Sequence, residues 1–143
     1  MSPNTRIPRF VPIILAVLGC IDLVRGAMHS IFLDYAAREI AGLDLTNATA
    51  IDQLQIMAVF GMSNFVSGAA LILIALVHRG AALAMLGVIP LAYAIGTICF
   101  RSYSAGLIAS QANWGGTNLM EPYLAVSVLA FVAGLVIMQR NRT

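Results

Sequence analysis

The sequence has no lysine, only two cysteines, and charged side chains at 10% of its 143 positions. Each scarcity closes off a class of protein. A water-soluble domain carries roughly a quarter charged residues. At 10% charged and 60% hydrophobic, with a mean hydropathy of +0.90, this chain is built to face lipid. The net charge is only +2, and no basic run exists that could track a phosphate backbone, so no nucleic acid is expected as a partner. Cys20 and Cys99 fall in separate apolar segments and at different depths, so no disulfide is expected between them. Spacings such as CxxC and HExxH are missing too, and neither a metal nor another cofactor is expected. Without lysine, all eight basic residues are Arg. GC-rich coding accounts for that; the rival, selection for bidentate contacts with anions, needs support from position.

What the chain does have is four long apolar runs: Phe10 to Phe32, Ile56 to Val77, Ala81 to Phe100 and Leu119 to Met138. Crossing a hydrocarbon core takes about 20 helical residues, and backbone groups in lipid must be satisfied within their own segment. The sequence therefore predicts an all-α, integral-membrane four-helix bundle. One domain covers 1–143, with helices near 10–33, 54–77, 81–101 and 119–138 and outer loops at 34–53 and 102–118. Arg6, Arg9, Arg79, Arg140 and Arg142 fall on one side of this layout, while the other side has Arg38, with Arg101 at a helix end, against Asp34, Glu39, Asp44 and Asp52. That bias puts both termini in the cytoplasm of a bacterial inner membrane. Tyr35, Tyr103, Trp114 and Tyr123 then lie on the outer side, as an interfacial aromatic belt would.

Local signals refine the layout. The first helix is expected to continue through "LDYAAREIA" and stop at Gly42. Thr49, with Asp52 three residues on, is an expected N-cap of the second span, and Asn118 with Glu121 and Pro122 reads as a capping box opening the fourth. Pro90 is expected to kink the third. The start "RIPRFVPIILAVLGC" also has the outline of a lipoprotein signal ending at Cys20. Leu18 is poorly suited to that box and the apolar run continues past it, so the first nineteen residues are expected to stay.

The stretch "CIDLVRGAMHS" places Asp22, Arg25 and His29 inside the first span. At i, i+3 and i+7 they share one face, together with Gly19, Gly26 and Ser30. Gln53, Met57, Gly61, Asn64 and Gly68 share a face of the second span. Gly80, Gly87, Ala94 and Arg101 recur every seven residues in the third, with Thr97 beside them. Small residues let membrane helices approach, and polar ones bond across the seam; these faces are expected to point at one another. Arg25, Arg101, Gln53 and Glu121 all fall in the outer half. A buried charge costs about 2.5–3.5 kcal/mol on insertion scales, so such groups must meet each other or water. A polar cavity open to the periplasm follows.

The candidate site is thus Asp22, Arg25, His29, Gln53, Asn64, Thr97, Arg101 and Glu121. A plainer reading stands beside it. Asp22 can pair with Arg25 and Arg101 with Glu121, leaving four charges that sum to zero as structural glue; His29 and Asn64 can be interhelical hydrogen-bonders. "DQLQIMAVFGMSNFVSGAALILIAL", "FRSYS" and "MEPYLAVSVLAFVAGL" resemble stretches of an uncharacterised family of small bacterial inner-membrane proteins. The resemblance covers the last three spans. It departs at Phe60-Gly61-Met62, where relatives have Tyr-Gly-Gly, and at Cys99-Phe100-Arg101, where they have Gly-Arg. It implies four helices and an Arg101/Glu121 pair, and no activity.

Four functions compete. The cavity could hold a small anionic or amphipathic ligand or a lipid headgroup near Arg25 and Arg101, in a binding or accessory protein. The polar faces could dock another membrane protein or a second copy. A transporter would need a continuous polar path, which an apolar inner half and the lack of an internal repeat do not supply. An intramembrane acid–base enzyme would use His29 with Asp22 or Glu121, although no nucleophile–base spacing supports it. The first reading leads.

Overall fold

The computed structural model describes residues 7–106 and 117–141. Arg6, Trp114 and Arg142 lie outside the described residues, as does 107–116 of the expected outer loop. The elements are α1 (Phe10–Ser30), α2 (Leu33–Tyr35), a π-helical segment (Ala36–Ile40), α3 (Ala50–Val77), α4 (Arg79–Ser104) and α5 (Thr117–Arg140). The four long helices are apolar and long enough to cross a bilayer, making this a multi-pass membrane protein.

The long helices run up and down. Gly19 meets Gly68 and Gly26 meets Gly61, so α3 runs antiparallel to α1. Gly87 meets Phe131 and Leu83 meets Gly134, so α5 runs antiparallel to α4. Val11 of α1 also touches Gly134, which puts the start of α1, the end of α3, the start of α4 and the end of α5 together. This is termed the terminal end, and its opposite the loop end. The core is apolar, with Val11, Leu15, Leu18 and Leu86 fully enclosed and Leu71 and Ala130 packed around them.

Two local structures differ from expectation. The first helix does not run straight to Gly42. Ile31 and Phe32 both donate to the Ala27 carbonyl, at 2.8 and 3.0 Å, and Phe32 leaves helical geometry at φ −102°, ψ 34°. The chain then folds back, burying Ala36 and Ala37 against Met57; a straight extension would have left both exposed beyond the membrane. Gly42 does end the segment, in the left-handed region at φ 61° where a Cβ is disfavoured. Thr49 precedes α3, but its hydroxyl caps no backbone amide there. It donates to Asn47 Oδ1 at 2.8 Å and accepts from Gln53 Nε2 at 3.2 Å. The same loop is pinned by Asp44, which accepts from the Thr46 hydroxyl at 2.6 Å and N–H at 2.9 Å; these bonds hold its carboxyl below the usual carboxylate range.

His78 alone separates α3 from α4. Its extended backbone turns the chain, and its Nδ1 accepts from Ala81 N–H at 3.1 Å as the cap of α4. α4 then runs unbroken through Pro90. Proline has no N–H to give to the residue four positions back, which strands the Leu86 carbonyl. Ser127 of α5 answers it, donating at 2.8 Å in a buried bond. Beyond Pro90, every residue of α4 from Leu91 to Tyr103 is exposed. The expected seven-residue face therefore does not point inward as a whole. Gly87 packs on Phe131, Ala94 and Arg101 are exposed, and among the described residues no atom from outside the local helix backbone lies within 4 Å of where a Cβ on Gly96 would sit. A seven-residue row drifts about 20° per repeat on a 3.6-residue helix. The buried stripe of α4 is instead Ala82, Leu83, Leu86 and Ile89.

Candidate functional site

The site begins with glycine. A Cβ on Gly19 would sit 2.8 Å from the Gly68 carbonyl oxygen, and one on Gly68 would sit 2.7 Å from the Gly19 oxygen. A Cβ on Gly61 would meet the His29 carbonyl at 2.8 Å and collide with the Ser30 hydroxyl. Backbone thus touches backbone along α1 and α3, and the short polar side chains between the glycines reach across.

Asp22 is the centre of these bonds. It is 6% exposed and accepts from three helices: Ser67 Oγ of α3 at 3.3 Å, Tyr123 Oη of α5 at 3.3 Å and Arg25 Nη1 of α1 at 3.4 Å. Three donors satisfy a buried carboxylate, so Asp22 is a tie between helices rather than a group free for a ligand. Arg25 is held more loosely. Its contact with Asp22 exceeds the roughly 2.7–2.9 Å of a tight charge-assisted bond, and its other contact is with Tyr93 Oη at 3.4 Å. Both use the same nitrogen, and a guanidinium has five N–H donors. The Tyr93 hydroxyl donates in turn to Met120 Sδ at 3.9 Å.

One turn further along α1, His29 Nδ1 lies 3.5 Å from Asn64 Nδ2. With the amide as donor, Nδ1 accepts and the imidazole proton resides on Nε2. Ser67 has a second acceptor in the Asn64 carbonyl at 3.2 Å, which couples this pair to Asp22.

A cavity of about 270 Å³ opens beside Arg25 and His29 at the loop end. Met28, Met57 and Phe60 line it from α1 and α3, and Leu119 and Met120 from α5. Ile40 and Ala41, at the end of the π-helical segment, close it from above. Among the described residues Arg25 is the one formal charge in this lining. The arrangement can hold an anionic or strongly accepting group at the guanidinium and an apolar body against the methionines and Phe60. Extra-wide helical turns of this kind recur at functional sites.

Five of the expected residues lie apart from one another or play another part. Asp22 belongs to the scaffold behind the cavity. Gln53 is half-buried, with its amide nitrogen on Thr49 and its Oε1 without a hydrogen-bond partner. Thr97, Arg101 and Glu121 are exposed, and among the described residues no ion pair joins Arg101 to Glu121. Asn118 lies inside α5, which already begins at Thr117, rather than capping it. Tyr35 and Tyr103 are exposed as belt residues should be, whereas Tyr123 is buried with its hydroxyl on Asp22.

Four side chains that matter were not expected at the site from the sequence: Ser67, Tyr93 and Ser127, which carried no expectation, and Tyr123, which was expected in the aromatic belt. Signals for three of them exist. Ser67 extends the Gly61–Asn64–Gly68 face, and Tyr123, Ser127, Ala130 and Gly134 form a 4-3-4 spaced stripe on the fourth span. Tyr93 has no such mark. No protein-family model, curated protein or solved structure matches the chain.

Proposed function

We propose that this membrane protein binds a small amphipathic molecule with an anionic group in its loop-end cavity. Arg25 meets the charged group, and Met57, Phe60, Leu119 and Met120 meet the apolar body. The observation that carries the reading is the single charge: an otherwise apolar, partly enclosed cavity of about 270 Å³ with one loosely held guanidinium on its wall. His29 Nε2 is a second donor beside it. Arg9, Arg79 and Arg140 share the terminal end. The positive-inside bias supports a bacterial inner membrane with that end cytoplasmic and the cavity facing the periplasm.

Two measurements test this. Purified protein is titrated with decanoate and with decanol, and bound adducts are counted by native mass spectrometry. Decanoate is expected to bind and decanol to bind at least about tenfold more weakly, with the preference lost in Arg25→Gln and largely kept in Arg25→Lys. Equal binding of acid and alcohol by the wild type would refute the role of Arg25. For orientation, a cysteine at Asn47 is expected to react with an impermeant maleimide from the periplasmic side and one at Gly80 is not.

A second reading has its own observation. Among the described residues the outer half of α4 is exposed from Leu91 to Tyr103 and no neighbouring helix approaches Gly96, so this stretch offers a face on which a second copy could dock. Cys99 sits within it and is exposed. In a Cys20→Ser background, oxidation should trap a Cys99-linked dimer if copies pack there, and only monomer if they do not.

A further inference from the structure

The loop-end cavity is not the largest recess in the molecule. A notch of about 510 Å³ lies at the terminal end, where α1 passes the turn between α3 and α4. Pro12, Ile13 and Ala16 form one wall, and Leu76, Val77 and Arg79 form the other. Arg9 precedes Pro12 and Ile13 by one helical turn, so it belongs to the same face of α1 as the first wall. An apolar trough therefore has a guanidinium on the helix face above each wall. His78 stands between them, its Nδ1 occupied by Ala81 N–H, which leaves Nε2–H directed elsewhere as a further donor.

The distribution of acids makes this end unusual. All six acidic residues, Asp22, Asp34, Glu39, Asp44, Asp52 and Glu121, belong to the middle or the loop end. Among the described residues neither Arg9 nor Arg79 makes an ion pair with a carboxylate. At the edge of a bilayer the complementary anion is a phosphate held at headgroup depth with an apolar chain attached. Basic recesses between membrane helices recruit anionic lipids in this way. We infer that the terminal-end notch is a binding site for one anionic phospholipid. Its phosphate lies between Arg9 and Arg79, and an acyl chain runs along Ile13, Ala16 and Leu76. This site is independent of the loop-end cavity and does not rest on its assignment.

The test uses the full chain in detergent, with phosphatidylglycerol and phosphatidylcholine of identical acyl chains as probes and native mass spectrometry as readout. The wild type is expected to retain phosphatidylglycerol about tenfold more than phosphatidylcholine, at roughly one lipid per protein. Arg9→Gln with Arg79→Gln should abolish the preference, while Arg38→Gln at the opposite end should leave it intact. Ile13 is largely exposed, so Ile13→Trp is tolerated by the fold and should block the trough and lower retention with both arginines present. Glycerol 3-phosphate at the same concentration should not displace the lipid. Equal retention of the two lipids by the wild type, full preference in the double variant, unchanged retention in Ile13→Trp, or displacement by glycerol 3-phosphate would each overturn the assignment. The last of these would identify a site for free phosphate esters.

Discussion

The two helix pairs of this bundle are held together in different ways. Between α1 and α3 the atoms that a new Cβ would strike include main-chain atoms at every glycine, among them the carbonyls of Gly19, Gly61, Gly68 and His29, beside side chains such as Phe65 and Ile72. Between α4 and α5 they are the tips of side chains, Phe131 beside Gly87 and Leu83 beside Gly134. Main chain cannot swing aside; a ring edge or a leucine methyl can. The first pair is also laced by Asp22, Ser67, Asn64 and His29, whereas among the described residues the second has the buried bond from Ser127 to Leu86 and the long contact of the Tyr93 hydroxyl with Met120 Sδ. Beyond Pro90, α4 has no buried residue up to Tyr103. The consequence is a rigid half that supplies the guanidinium and imidazole of the cavity, and a compliant half, α5 of which supplies Leu119 and Met120.

Four experiments break or sharpen that contrast. The largest effect is expected from Gly68→Ala. Its methyl meets the Gly19 oxygen and the Leu23 nitrogen, so the helices must part, and unfolding in detergent should show a loss of about 3 kcal/mol. Next comes Arg25→Met. Breaking a fully buried ion pair costs about 3–5 kcal/mol. Here the arginine side chain is 26% exposed and Asp22 keeps two hydroxyl donors, so about 2 kcal/mol is expected. Adding Asp22→Leu should recover most of it, and Tyr123→Phe the remainder, because that hydroxyl would otherwise lose its acceptor. A double variant no more stable than Arg25→Met would show that the pair is not the unit of stability. Ser127→Ala should cost about 1 kcal/mol by leaving the Leu86 carbonyl unanswered; no change would mean that α4 relaxes around Pro90 unaided. Smallest, and of opposite sign, is Gly96→Ala: with open space around it, the alanine should stabilise α4 by about 0.5 kcal/mol. Destabilisation there would mean that something packs against α4 in the membrane.

The rigid half was the more legible in the sequence, for a physical reason. Close backbone packing demands small residues at helical spacing, and Gly19, Gly26, Gly61 and Gly68 are rare enough in an apolar run to stand out. Asp22, Arg25, His29 and Asn64 follow from the same periodicity. The compliant half uses Leu, Phe and Ile, which look identical whether they face a neighbour or lipid. Its seven-residue row of Gly80, Gly87, Ala94 and Arg101 was accordingly misleading. The fold-back after Ser30 was illegible for another reason. "LDYAAREIA" has good helical propensity, and the break at Phe32 comes from burying Ala36 and Ala37 on Met57, a tertiary gain that local sequence does not carry. Tyr93 reached Arg25 through α4's approach to α1, which no spacing within α4 encodes.

The bond from Ser127 to the Leu86 carbonyl has a consequence for how the chain assembles. With Pro90 in place, α4 alone in lipid carries a carbonyl that its own helix cannot satisfy. Only α5 docked with Ser127 opposite Leu86 supplies the donor. Sliding α5 by one turn, about 5.4 Å, would bring another residue to that position and leave the oxygen bare. Side-chain packing between these helices is forgiving enough to accept several alignments, and the single hydroxyl is not. Proline and serine together act as a key and notch that proofread the last helix as it joins the bundle.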